Sequence, residues 1–118
     1  MTMTKPPAPL DADTVKAVRA FVGKMANHYP LIDALLFGSR ARRDHRPHSD
    51  ADIAVIMRGT HGRRFDEALK MADMAFEVML ETGVLIEALP LWEDEWLHPE
   101  TFANPGLIET IRREGVRV

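Results

Sequence analysis

The sequence has 118 residues, 46% hydrophobic and 28% charged, which fits one small globular domain. A net charge of −3 argues against a general nucleic-acid binder, and the absence of cysteine excludes disulfides and thiolate metal sites. The opening MTMTKPPAPL carries no apolar run of leader or membrane-span length, so the expected setting is the cytoplasm.

Residues 1–10 hold three prolines and read as a flexible lead-in to a single domain over 11–118. Asp11 or Asp13 can cap a first helix running to about Asn27. Val15, Val18, Val22 and Met25 recur in it at helical spacing, which predicts a core-facing stripe. Tyr29-Pro30 ends this helix, because proline disfavours helical geometry in the residue before it. Leu31 to Phe37 is an apolar run of strand length, stopped by Gly38. Ser39 to Arg43 read as the first turns of a short helix, and Asp44 to Ser49 as an exposed loop. Ala51 to Met57 form a second strand, and Gly59 to Gly62 a turn. A long helix is predicted from about Phe65 to Thr82, with Gly83 as C-cap. Its apolar stripe Leu69, Ala72, Phe76, Met79 and Leu80 is expected to face the core. A third strand covers Val84 to Leu91, and Trp92 and Trp96 follow in an acidic turn. A last helix begins near Asn104-Pro105 and stops at Gly115. This alternation implies an α/β (α+β) fold with a small mixed sheet flanked by helices.

The chemistry concentrates in two segments. In Phe37-Gly38-Ser39-Arg40-Ala41-Arg42 a strand ends in Gly-Ser and a helix starts at once. The glycine lets backbone approach a bulky anion, and helix-start N–H groups with the serine hydroxyl can hold phosphate oxygens. Arg40 and Arg42 add positive charge, although either can equally pair with nearby acids, and structure is the better reading for Arg42. In Ser49-Asp50-Ala51-Asp52 two carboxylates stand two residues apart where a strand begins, so they share one face. They repel one another unless a cation intervenes, and hard oxygen ligands with open positions suit Mg²⁺. Read singly, Gly38-Ser39 is a serine-capped turn and the two aspartates are solvated charges; read together, they match metal-assisted nucleotidyl transfer. His45 and His48 flank Pro47 in the exposed loop and are expected to be solvated surface histidines.

Gly38-Ser39 followed by Ser49-Asp50-Ala51-Asp52 resembles the signature of the polymerase-beta nucleotidyltransferase superfamily. The short chain resembles in particular its minimal nucleotidyltransferases, the MNT proteins, and Asn104-Pro105 through Gly115 is similar to their tail. The resemblance implies a polymerase-beta-like core, with Gly38 and Ser39, assisted by Arg40 and Arg42, on the triphosphate. It implies Mg²⁺ on Asp50 and Asp52. The family's third carboxylate binds the catalytic metal or activates the acceptor hydroxyl; its candidate is Glu87, in Val84-Leu85-Ile86-Glu87-Ala88, against an edge-strand glutamate facing water. Two positions depart from the pattern: Arg43, where many relatives carry glycine, and Glu87, where aspartate is usual.

MNT proteins are often encoded beside a HEPN-domain protein as a toxin–antitoxin pair. The resemblance therefore implies transfer of AMP from ATP onto a hydroxyl of a HEPN partner. The alternative is a weakly active or inactive antitoxin that neutralises its partner by contact. A chain of this length is expected to have no room for an acceptor-binding domain, so the acceptor surface is expected from another chain or a second copy. An oligomer or hetero-complex is accordingly expected, with no membrane and no general nucleic-acid binding.

Overall fold

Asp11 caps the first helix, accepting hydrogen bonds from Thr14 N at 2.9 Å and Thr14 Oγ1 at 2.5 Å. The computed structural model describes residues 10–118, so the lead-in over 1–9 lies outside the described residues. From that cap α1 (Ala12–His28) runs to Tyr29, whose N–H returns to Met25 O at 2.9 Å. It buries Thr14, Ala17, Val18, Phe21 and Met25, while Val15 and Val22 stay half-buried at the edge of the expected stripe.

Three strands make one mixed sheet in the order β1-β2-β3. β1 (Leu31–Phe37) and β2 (Ala51–Met57) pair antiparallel, with Phe37 opposite Asp52. β2 and β3 (Ile86–Trp92) pair parallel, with Asp52 opposite Glu87. A parallel pair needs a crossover, and α3 (Arg64–Thr82) supplies it. Val116 bridges the outer edge of β1 through reciprocal hydrogen bonds with Leu36 at 2.8 and 2.9 Å. Period-two alternation then sorts the strands onto two faces. Leu36, Ile53, Val55, Met57, Ile86 and Trp92 pack with α1 and α3. Leu35, Ala54, Ile56 and Leu91 pack with Ile111 of α5 (Pro105–Glu114) and with Trp96, Phe102 and Leu107.

Three expectations need correction. The third strand starts at Ile86 and ends at Trp92, so Trp92 is a buried strand residue rather than part of an acidic turn. The acidic residues after it form a short helix, α4 (Glu93–Leu97), followed by a 3₁₀ turn over Pro99–Thr101. The third correction concerns α3. Its core-facing residues are Met71, Ala75 and Val78, whereas Leu69, Phe76 and Leu80 are exposed. The helix is apolar around most of its circumference, so two stripes fit the 3.6-residue period, and only packing against the sheet chose between them.

The acidic segment also hides a buried ion pair. Glu95 is 3% exposed, accepts from Trp92 N at 3.2 Å and takes hydrogen bonds from both Arg64 terminal nitrogens. The Arg64 guanidinium in turn lies over the rings of Trp92 (5.4 Å) and Phe102 (4.8 Å). This bidentate, aromatic-covered pair ties the start of α3 to the chain beyond β3.

Candidate active site

β1 ends at Phe37, and Gly38 turns the chain into α2 (Ser39–Arg42). Gly38 has φ 75° and ψ −157°, a region that essentially only glycine occupies. A second constraint acts on the same position. A Cβ on Gly38 would collide with Asp52 Oδ2 and lie 3.3 Å from Asp52 Cγ. The glycine thus brings the phosphate-type turn directly against the Asp52 carboxylate, joining the two segments that sequence reading singled out.

Asp52 points to the sheet face of Leu35, Phe37, Ala54 and Leu89, away from α1 and α3. Parallel register sets Glu87 beside it on β3, and Asp50 stands just before β2. Asp52 is half-buried, and its pKa is pushed up to about 6. Burial is the largest cause, followed by the charges of Glu87 and Asp50, while Arg42 pulls in the opposite direction. A cavity of about 280 Å³ opens here, lined by Phe37, Asp52, Glu87, Ala88, Leu89 and Leu107. Two acids and four apolar residues thus share its lining. Leu107 reaches this wall from α5, a contribution that no motif in the sequence announced.

The donor set fits a divalent cation. Asp50, Asp52 and Glu87 offer hard oxygen ligands, and the part of the Asp52 shift that comes, after burial, from the charges of Glu87 and Asp50 is repulsion that a cation would relieve. Among the described residues, no three His, Cys, Asp or Glu side chains converge into a ready-made metal cage. Mg²⁺ commonly takes only one or two carboxylates and completes its shell with substrate phosphates and water.

The arginines divide differently. Arg40 is 4% exposed and turns inward. Its Nε donates to Ser49 O at 2.8 Å, Nη1 to Thr14 Oγ1 at 2.8 Å and Nη2 to Pro47 O at 3.4 Å, with Asp11 Oδ1 3.7 Å away. Rather than facing a phosphate, Arg40 pins the 43–50 loop to α1 and so fixes where Asp50 begins. His45 joins this cluster, with Nε2 3.1 Å from Asp11 Oδ1, and is largely covered instead of solvated; His48 is exposed as expected. Arg42 is exposed and pairs with Asp44 and Glu114, each at 3.1 Å, tying α2 to the end of α5. Arg43 keeps the left-handed turn that glycine would take, at φ 65°. A non-glycine residue there costs about 1 kcal/mol.

The described residues contain no helix long and apolar enough to cross a membrane. No protein of curated function matches the sequence. A crystal structure from Sulfolobus solfataricus, provisionally named a nucleotidyltransferase, superposes with a TM-score of 0.52 at 19% identity, covering 95% of this chain and 90% of that one. This likeness extends to the fold. The sequence model for "Polymerase beta, Nucleotidyltransferase" matches residues 22–90, a span that includes Gly38, Ser39, Asp50, Asp52 and Glu87. With more than half the chain matched and the fold in agreement, the chain belongs to the polymerase beta nucleotidyltransferase family.

Proposed function

We propose that the protein transfers AMP from ATP onto a hydroxyl of a partner protein, a HEPN-domain toxin whose antitoxin it is, with Mg²⁺ at Asp50 and Asp52. The observation that carries the reading is the contact of the Gly38-Ser39 turn with Asp52, itself flanked by Asp50 and Glu87. Gly38 and Ser39 bind the triphosphate, and the apolar wall of Phe37, Leu89 and Leu107 receives the base. Glu87, exposed beside Asp52, takes the proton of the incoming hydroxyl in this reading. The acceptor oxygen bonds to the α-phosphorus of ATP as the bond to pyrophosphate breaks, and a divalent cation held by Asp50 and Asp52 would neutralise the charge on the phosphates. In this reading the acceptor is a separate molecule.

A second reading, a weakly active chain that neutralises its partner by contact, draws support from the exposure of Glu87. One assay separates the two. The protein is incubated with labelled ATP and Mg²⁺, with and without the product of the adjacent gene, beside an Asp50→Asn/Asp52→Asn control. Label on the partner that disappears in the control supports transfer. No label, with the partner bound and silenced equally by both forms, refutes it in favour of contact neutralisation.

A further inference from the structure

The outer face of α3 is apolar and uncovered. Phe65 is 73% exposed, Leu69 55%, Phe76 53% and Leu80 70%, on the far side of the helix from Met71, Ala75 and Val78. With Ala72 these residues are spaced by four, three, four and four, a single stripe along four turns. Taking about 200 Å² for a fully exposed side chain of this size, the four present roughly 500 Å² of apolar surface. That is the upper range for a patch on a monomer, and matches the apolar share of a standard homodimer interface of about 800 Å² per partner.

The pattern also states which partner fits. Read backwards about its centre the stripe maps onto itself, with Phe65 exchanging with Leu80 and Leu69 with Phe76, and Ala72 beside the midpoint. An antiparallel copy of the helix therefore sets phenylalanine on leucine in four layers, while alanine at the centre lets the axes approach. The charges beside the stripe are satisfied within one chain: Arg63 pairs with Asp66, Lys70 with Glu67, and Glu77 and Glu81 with Lys24 of α1. They leave the choice of orientation to the apolar pattern.

We propose that two copies of this chain pair through α3 in an antiparallel, two-fold arrangement. The carboxylates of the candidate site lie on the opposite face of the sheet, so both sites remain open in the dimer.

The test uses the full chain. Light scattering after size exclusion is expected to give twice the 13.3 kDa of one chain, falling to one chain in a Leu69→Glu/Phe76→Glu variant with an unchanged far-ultraviolet spectrum. Because the chain has no cysteine, single introduced cysteines report the geometry. An Ala72→Cys variant is expected to cross-link to itself on mild oxidation. A mixture of Leu69→Cys and Phe76→Cys chains is expected to form the mixed disulfide in preference to either self-disulfide. A chain that is monomeric at its highest soluble concentration overturns the proposal, as does a dimer that survives the double glutamate variant. Predominant Leu69→Cys self-disulfides overturn the antiparallel arrangement. A monomer that captures a different protein through this face also overturns it, by giving the stripe another occupant.

Discussion

Replacing Gly38 by alanine tests the joint between the phosphate-type turn and the carboxylates, because two separable penalties meet there. The first belongs to the backbone: φ 75° with ψ −157° lies where a Cβ is not tolerated, at a cost of about 2 kcal/mol. The second belongs to Asp52, whose Oδ2 occupies the place of the new Cβ. Its carboxylate can swing away only by leaving the turn, at a further cost of about 1 kcal/mol. Gly38→Ala is thus expected to lose about 3 kcal/mol, or about 10 °C in melting temperature for a domain of this size. Urea unfolding of the wild type, Gly38→Ala, Asp52→Ala and the double variant isolates the second penalty. The double variant is expected to be about 1 kcal/mol more stable than the sum of the singles predicts, since without the Asp52 carboxylate only the backbone penalty remains. Additivity within about 0.4 kcal/mol would show that the carboxylate moves freely and that the contact does not constrain the site. Retention of full stability by Gly38→Ala would refute the backbone argument as well.

Two further expectations concern the same neighbourhood. Asp52 holds its proton more tightly folded than unfolded, with its pKa raised to about 6 from 3.8, so its contribution favours the fold at low pH and is lost as pH rises through about 6. In chelator, Asp52→Asn is therefore expected to exceed the wild type in stability by about 1 kcal/mol at pH 7, discounted for partial solvent exposure, with the gap closing between pH 6 and 4; urea midpoints against pH measure it, and a gap that widens on acidification refutes it. Arg40→Ala leaves Thr14 Oγ1, Ser49 O and Pro47 O without their buried donor. It is expected to cost about 3 kcal/mol and to speed amide exchange over residues 43–50, whereas a loss below about 0.5 kcal/mol would mean that the loop does not depend on it.

Much of the architecture follows from local signals. Asp11, Gly83 and Asn104-Pro105 mark helix ends because caps satisfy backbone groups within a few residues. Gly38 stops β1 and starts α2, and the two-residue period separates Asp52 from Ile53 across the sheet, since both features depend on the chain's own geometry. Strand register is a different matter: the presence of Glu87 beside Asp52 follows from the parallel pairing of β2 with β3.

Arg40 and Glu95 show where local reasoning stops. A basic residue beside Gly38-Ser39 looks suited to phosphate, yet Thr14, 26 positions earlier, and the carbonyls of a folded-back loop claim it. Glu95 reads as one of several acids in a polar turn until Arg64 reaches it from the start of α3 and covers it. In α3 the sequence determined that the helix forms and that it is apolar on two faces; only the sheet, by burying Met71, Ala75 and Val78, decided that Phe65, Leu69, Phe76 and Leu80 face outward. Periodicity records which residues share a side of an element, but which side meets the core is set by neighbours distant in the chain.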